Sequence, residues 1–261
     1  MNIYFLETEG SMFDSYHLGY IFISLFFTVF FLVIGKKFIK KQKYKDIYLK
    51  FWAVLTVFLH LSPLWIAHLK GETAVAVDNM LFPIYFCNLT MYFLMLVSLW
   101  GNKETIIFKY LAIIAGYAGV FGALISLFYP DYYLGASSMF EWGVFKSMLS
   151  HSTMLIGSLY LFVGNYFKTE FKNSYVFGVG LLFYGFIGII VNKIFAAANL
   201  NPRNAMYLQG PPIPEVPILN AYTIAILMFL LTMLIGFLLN NGLKKSSEKI
   251  KYHLMFVKKK T

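Results

Sequence analysis

Leu81-Phe82-Pro83-Ile84-Tyr85-Phe86-Cys87-Asn88-Leu89 is the stretch of this sequence from which both a fold and a site can be argued. It places the single cysteine of the chain and a proline inside an apolar run. Proline in a helix interior removes a backbone donor and kinks the helix. We therefore predict a kinked segment whose polar residues, Cys87 and Asn88, form one wall of a small site inside a membrane.

The composition around that stretch is typical of a membrane protein. Of the 261 residues, 59% are hydrophobic and only 13% are charged, whereas soluble domains carry roughly 25% charged residues. Seven apolar segments are each long enough to cross a hydrocarbon core of ~30 Å as a helix. They lie near residues 16–35, 51–69, 79–100, 106–128, 143–163, 174–197 and 218–240. We predict an all-α polytopic membrane protein, a seven-transmembrane-helix bundle over 1–240 with a basic tail over 241–261.

The distribution of lysine predicts the orientation of this bundle. Three connections and the tail hold 18 lysines against 4 acids, while the rest of the chain holds 4 basic residues against 8 acids. Lys and Arg concentrate in cytoplasmic loops, so we predict the N-terminus outside and the C-terminus in the cytoplasm. The basic excess is then a topology signal and not a sign of nucleic-acid binding. No basic region precedes the first apolar run, so no cleavable signal peptide is expected.

Four predicted helices place an uncommon polar residue at a similar depth. A rise of about 1.5 Å per residue puts His60, Cys87 and His151 roughly 12 Å below the outer ends of their helices. Asn88 follows Cys87, and Asn192 lies a turn or two below the outer end of its helix. Polar groups at membrane depth are costly and usually face a bundle interior or a cavity. This convergence predicts a polar site in the outer half of the bundle.

Each of these residues also has a purely structural interpretation. A lone buried cysteine is usually an inert small hydrophobe, and an intramembrane histidine often hydrogen-bonds across helices. Asn192 and Asn204 would then satisfy loop or helix-end backbone, and Tyr207 would anchor the chain at the interface. One cysteine also excludes an intrachain disulfide and a multi-cysteine metal site. No metal ion is expected.

Several short motifs, taken in order, resemble a known family. They are Pro83-x-Tyr85-x-Cys87-Asn88-Leu89, Tyr129-Pro130-Asp131, Ser150-His151, Val191-Asn192 and Asn204-x-x-Tyr207-Leu208 followed by Pro211. Together they are similar to the YwaF-type bacterial integral membrane proteins, which are related to the animal transmembrane-164 acyltransferases. The resemblance spans nearly all seven helices and implies a multi-pass protein of the bacterial cytoplasmic membrane.

The resemblance implies acyl transfer between membrane phospholipids. It implies Cys87 as the nucleophile and His151 as its base, with Asn204 and Tyr207 shaping the site. The attacked group would be a glycerophospholipid ester, whose carbonyl lies just below the headgroups. Phospholipids would be the partners, and no cofactor is required.

This sequence departs from the family motif at two positions. The bacterial motif carries His and Asp where this chain has Tyr85 and Asn88, which leaves His151 or His60 as the candidate base. Burial disfavours a thiolate, so a neighbouring histidine is needed to take the proton from Cys87. Amide groups of Asn88 or Asn192, or backbone freed by Pro83, are candidates to face the developing oxyanion.

Two other functions stay open on the sequence alone. A membrane protein that binds a lipid or a small ligand without covalent chemistry would use the same polar site. A transporter is less well supported, because the inner half lacks ionisable residues and the chain shows no internal repeat. The sequence does not indicate an oligomeric state.

Overall fold

The computed structural model describes residues 10–69, 78–198, 200, 203–213 and 215–258, with side chains as far as residue 240 except at 67, 68, 78 and 79. Within these residues the regular elements are helical and no strand occurs. They are α1 (Ser15–Phe38), α2 (Gln42–Leu69), α3 (Asp78–Leu81), α4 (Phe86–Leu99), α5 (Ile106–Phe128), α6 (Trp142–Val163), α7 (Asn173–Ala197), a 3-10 turn (Ala205–Tyr207) and α8 (Ala221–Lys258).

Five of these helices are long and apolar enough to cross a membrane. They are α1, Gln42–Ile66 of α2, α5, α7 and Ala221–Asn240 of α8. Large apolar side chains such as Phe22 and Leu182 are 72% and 76% exposed on them, as lipid-facing residues are. The protein is therefore a multi-pass membrane protein in a lipid environment. Seven crossings and the orientation of the termini remain predictions, and the side chains of the basic tail lie outside the described residues.

α4 and α6 are not among these five candidate spans, for different reasons. α4 has only 14 residues because the segment is interrupted before it. α6 has 22 residues but carries many polar side chains, most of them buried. It packs against α1, α2, α4 and α5 and is the centre of the bundle.

Hydroxyl groups tie α6 to its neighbours. Thr56 of α2 donates to Thr153 at 2.9 Å, and Ser152 donates to Ser24 of α1 at 2.9 Å. Hydrogen bonds of this kind hold membrane helices together where lipid gives no hydrophobic drive. The polar residues of α6 are therefore tolerated because protein, and not lipid, surrounds them.

The predicted helix over 79–100 is the clearest difference between expectation and structure. Pro83 does not kink one helix; residues 82–85 are non-helical and separate α3 from α4. The N–H of Ile84 bonds to the carbonyl of Phe82 at 2.8 Å around Pro83, and the carbonyl of Ile84 accepts from the N–H of Met206 at 2.8 Å. Irregular backbone at membrane depth persists only where protein satisfies its polar groups. The loop after α7 does so here.

Two ends of the bundle are distinguished by their connections. We call the end that carries loops 129–141 and 203–213 the long-loop end, and the opposite one the lysine-rich end. The short segment 82–85 packs beneath loop 203–213, where Ile84, Val191, Phe195 and Ala205 form a small apolar cluster. The break in the helix thus lies at the long-loop end, where the polar residues were predicted to meet.

Close packing of α5 on α6 yields the first testable prediction. A Cβ added at Gly119 would lie 1.8 Å from Oγ and 2.7 Å from Cβ of Ser158. We expect Gly119→Ala to lower the thermal stability of the purified protein, since overpacking costs about 1–3 kcal/mol.

Ser158→Gly in the same chain should restore part of that loss, because it removes the atoms that clash. Gly19→Ala is the control, since nothing lies within 4 Å of a Cβ at Gly19. Equal melting temperatures for Gly119→Ala and the control would contradict this packing.

Candidate functional site

Cys87 lies in the first turn of α4, directly after the break. Tyr85 is the N-cap residue with extended angles (φ −97°, ψ 152°), so Cys87 is the second residue of the helix. Its sulfur lies near the Ser126 hydroxyl and the backbone N–H of Asn88. The thiol donates to the side-chain oxygen of Asn88 at 3.5 Å. First-turn N–H groups favour negative charge on the sulfur or on a nearby oxyanion, whereas burial of the sulfur opposes the thiolate.

The depth of Cys87 follows from its contact with α5. A Cβ on Gly122 would lie 3.6 Å from the Cα of Cys87. Gly122 precedes the last residue of α5, Phe128, by six positions. At about 1.5 Å of rise per residue, Cys87 lies ~9 Å below the long-loop end of α5, close to the depth expected from the sequence.

His151 is held in one tautomer by its own helix. Its Nδ1 lies 2.6 Å from the carbonyl oxygen of Ser147. A carbonyl oxygen only accepts, so Nδ1 carries the proton and the neutral ring presents a lone pair at Nε2. That Nε2 atom is buried and has no hydrogen-bond partner among the described residues. Tyr132 stacks on the ring with centroids 5.7 Å apart and 9° between planes. Such an imidazole suits a general base.

His60 of α2 is a second buried imidazole at this end. It is 6% exposed, its Nε2 has no partner in the described part of the chain, and its ring packs edge-on against Tyr92 at 5.7 Å. His60 and His151 lie within electrostatic range of each other. The backbone carbonyl that Pro63 leaves without a helical donor accepts from the Ser62 hydroxyl at 2.7 Å. The Ser62 hydroxyl therefore replaces the backbone donor that Pro63 lacks, and α2 continues as a helix past His60.

Cys87 and His151 share two neighbours, Tyr132 and Lys146, within the described residues. No hydrogen bond joins the thiol to either imidazole within the described residues. Tyr132 stacks on His151 and also lies within electrostatic range of Cys87. Lys146 interacts electrostatically with Cys87, His60 and His151. We call the polar cluster the six residues His60, Cys87, Asp131, Tyr132, Lys146 and His151.

Loop 129–141 covers one side of the polar cluster and is held by the N-terminal segment. Gly10 exchanges two backbone hydrogen bonds with the loop, both of 2.9 Å. Asp14 caps α1, accepting from the N–H of His17 at 2.7 Å and from the hydroxyl of Tyr133 at 2.6 Å. The side chains that this loop contributes are therefore anchored from outside the bundle.

Loop 203–213 covers the other side, and two predicted site residues shape it. The amide of Asn192 accepts from the N–H of Ala205 at 2.8 Å and donates to its carbonyl at 3.4 Å. The amide of Asn204 accepts from and donates to the loop backbone at 2.8 and 2.9 Å. Both amides are engaged by backbone, so they position the loop, and neither directs an open donor at Cys87.

Tyr207 connects this loop to the segment before α4. Its ring lies 5.8 Å from that of Tyr85, with 39° between the planes. Met206 and Tyr207 adopt consecutive left-handed conformations (φ 55° and 56°), each costing about 1–3 kcal/mol and typical of ligand clamps. Burial, with the nearby charge of Asp131, raises the pKa of Tyr207. Its phenol stays protonated and is available as a donor.

Three residues near the thiol had no role in the sequence analysis: Ser126, Tyr132 and Lys146. Lys146 carried a signal, because it is the one Asp, Glu, Lys or Arg in the predicted span 143–163. The other two are common residue types that only the fold brings to Cys87. Asp131 stood in a motif, and burial raises the pKa of its carboxyl. Within the described residues, no three His, Cys, Asp or Glu side chains are placed to hold a metal ion.

A comparison with known protein families identifies the family of this chain. A family model described as the TMEM164 family matches residues 12–240. The chain belongs to the TMEM164 family. No curated protein and no solved structure matches the chain. The TMEM164 match includes the whole polar cluster and both loops at the long-loop end, and it ends where the basic tail begins.

The contact of α7 with loop 203–213 can be tested at Gly188. A Cβ there would lie 2.7 Å from Cγ and 2.9 Å from Cβ of Met206. We expect Gly188→Ala to displace the loop and to speed its hydrogen exchange. Gly185→Ala on the same helix is the control, because its Cβ meets nothing within 4 Å. Unchanged exchange in the loop would contradict the contact.

Loop 129–141 should loosen at acid pH through Asp14. Burial opposes the charged carboxylate, but hydrogen bonds from Tyr133, His17 and Ser11 outweigh it and hold the pKa of Asp14 below 3.8. Its contribution to stability is present above about pH 3.8 and is lost as the pH falls through the lowered pKa.

Hydrogen exchange of the loop, corrected for intrinsic rates, should therefore rise on acidification in the native chain. In Asp14→Asn the loop should already exchange faster than in the native chain at neutral pH, and its exchange should not rise further on acidification. An identical acid step in the variant would assign the change to another group.

Proposed function

We propose that this TMEM164 family protein is an integral membrane acyltransferase that moves acyl chains between phospholipids through Cys87. The observation that carries the proposal is the placement of Cys87 in the first turn of α4, at the end of the bundle that also holds the buried imidazole of His151, whose Nε2 has no partner among the described residues. The sulfur faces first-turn N–H groups, and His151 offers a lone pair and no partner in the described chain. These are the parts that a cysteine nucleophile needs.

The reaction proceeds in two balanced steps. Nε2 of His151 takes the thiol proton, and the sulfur attacks the ester carbonyl of a glycerophospholipid. The carbonyl becomes an oxyanion near the N–H groups of the first turn of α4, which stabilise it. The C–O bond then breaks, and the departing lysolipid oxygen receives the proton from His151. A hydroxyl of a second lysolipid attacks the thioester by the reverse path, and Cys87 regains its proton.

His151 is preferred to His60 as the base because of its connection to the thiol. Tyr132 stacks on His151 and lies in electrostatic range of Cys87. Catalytic hydrogen bonds are often long in the absence of substrate and tighten when it binds. The separation of thiol and imidazole is therefore compatible with this role. The absence of a hydrogen bond between the thiol and the imidazole in the described chain also supports the second candidate function, a lipid-binding protein without covalent chemistry.

Further parts of the proposal come from the sequence. We propose the YwaF-type branch of the family, the bacterial cytoplasmic membrane, seven crossings with the N-terminus outside, and the division into a 1–240 domain and a 241–261 tail. Loop 203–213 and Tyr85 would border the acyl site, with the protonated Tyr207 phenol as a donor to the lipid. No metal or diffusible cofactor enters either step.

An acyl adduct on Cys87 is the decisive observation. Purified in native lipid and digested, the protein should yield a Cys87 peptide carrying a thioester-linked acyl chain, detected by mass spectrometry and released by hydroxylamine. Cys87→Ser should show no thioester adduct. His151→Ala should slow adduct formation by about a hundredfold or more, the usual size of general-base catalysis, and His60→Ala should have a smaller effect.

Ser147→Ala serves as the matched control, because the buried Ser147 hydroxyl donates to the carbonyl of Gly143 at 2.8 Å, and the substitution leaves in place the Ser147 carbonyl that accepts from His151. If neither adduct nor lysolipid forms while Cys87→Ser and His151→Ala bind phospholipid as the native chain does, the acyltransferase proposal fails. The non-catalytic lipid-binding function then replaces it.

A further inference from the structure

The ammonium group of Lys146 has no anionic partner among the described residues. Lys146 lies four residues after Trp142, the first residue of α6, and its side chain is half-buried. Neither a hydrogen bond nor an ion pair engages its ammonium group among the described residues. The nearest acid before it in the sequence, Glu141, accepts from the hydroxyl of Ser137. Asp131 interacts with Cys87, Tyr132 and Tyr207.

An unpaired charge at this position requires an explanation. Ionisable residues within membrane bundles are costly, and they are usually paired or mark a ligand site. Lys146 lies within electrostatic range of Cys87 and of two neutral imidazoles, His60 and His151. The Nε2 atoms of both imidazoles are buried without partners in the described chain. The region therefore combines a positive charge with unpartnered polar atoms, the chemistry that binds an anionic ligand.

The depth of Lys146 identifies the kind of anion. At about 1.5 Å of rise per residue, Lys146 lies ~6 Å below the long-loop end of α6. Cys87 lies ~9 Å below the same end of α5. The headgroup region of a bilayer adds roughly 5 to 7 Å on each side of the hydrocarbon core. With the long-loop end of α6 at the outer edge of that region, Lys146 lies at the level of phosphates. Cys87 is one step deeper, toward the ester carbonyls.

We propose that Lys146 is the phosphate-binding residue of the site: its ammonium group binds the diester phosphate of a glycerophospholipid and so places the acyl ester at Cys87. The placement of the ester rests on the proposed acyl transfer, whereas binding of the phosphate does not. Lysine is a common phosphate ligand that acts as a point charge. The site then selects lipids by their phosphate and not by the alcohol of the headgroup, and neutral acylglycerols are poor ligands.

Binding to the full-length chain tests the proposal directly. In the Cys87→Ser background, which prevents turnover, the affinities for phosphatidylcholine and for diacylglycerol with the same chains are measured in detergent micelles. Lys146→Gln should weaken phosphatidylcholine binding by about tenfold or more, the size of one charge-assisted hydrogen bond. Diacylglycerol binding should not change, and Lys146→Arg should retain most of the phosphatidylcholine affinity.

Lys193→Gln is the matched control, because Lys193 is an exposed lysine of α7 near the same end of the bundle. An equal loss for both lipids, or an equal loss in Lys193→Gln, would overturn the assignment. Inorganic phosphate is the third probe. Weak competition by it supports a lipid phosphate, whereas binding as tight as that of phosphatidylcholine would make the site one for free phosphate and overturn the lipid assignment.

The two proposals fail separately. If Cys87 acquires no acyl adduct but Lys146→Gln still loses phosphatidylcholine, acyl transfer is wrong and the phosphate site stands. If the adduct forms and Lys146→Gln leaves the KM for phosphatidylcholine unchanged, the phosphate site is wrong and acyl transfer stands. A rise in KM with little change in kcat is the result expected of a residue that only binds the substrate.

Discussion

The break between α3 and α4, and with it the position of Cys87, depends on the hydrogen bond from the N–H of Met206 to the carbonyl of Ile84. Lipid offers no partner to a stray carbonyl, so a chain can leave the helical conformation at membrane depth only where protein supplies one. With that bond made, residues 82–85 remain non-helical and α4 begins at Phe86. A new helix N-terminus then lies inside the bundle with Cys87 in its first turn, which an unbroken helix would not provide.

The second requirement is a polar interior that lipid does not reach. α6 meets it because four helices surround it, so its hydroxyls and His151 face protein. The carbonyl of Ser147 fixes the Nδ1 proton of His151, and it does so through the helix that carries both residues. The tautomer of the imidazole is therefore a local property of α6. Tyr132, which stacks on that imidazole, belongs to loop 129–141, which the N-terminal segment anchors through Gly10 and Asp14.

α2 begins nine residues before its predicted start, and α8 continues to Lys258, past its predicted end at 240, because a helix can extend beyond its apolar run. The sequence predicted the bounds of α1, α5, α6 and α7 to within three residues, because the length of an apolar run is itself the physical requirement for spanning lipid. It did not predict the interruption at Pro83, which depends on a partner more than a hundred residues later in the chain. For Asn192 and Asn204 the sequence could not distinguish a role in the site from a structural role. Only the positions of Ala205 and Gly210 show that backbone engages both amides. Lys146 was visible as a charge in an apolar run, but its neighbours follow from helix packing, which one sequence does not encode locally.

The two departures from the bacterial motif acquire a physical meaning once α4 is known to begin at Phe86. Position 88 is the third residue of this helix, where a carboxylate would draw on the same N–H groups and the same positive potential as Cys87. Asn88 is neutral and accepts the thiol hydrogen instead. Tyr85 packs on Tyr207 and so contributes to the loop contact. In the proposed reaction, a chain with Tyr85 and Asn88 in place of His and Asp has no base next to Cys87, so the thiol proton passes to a histidine of α2 or α6.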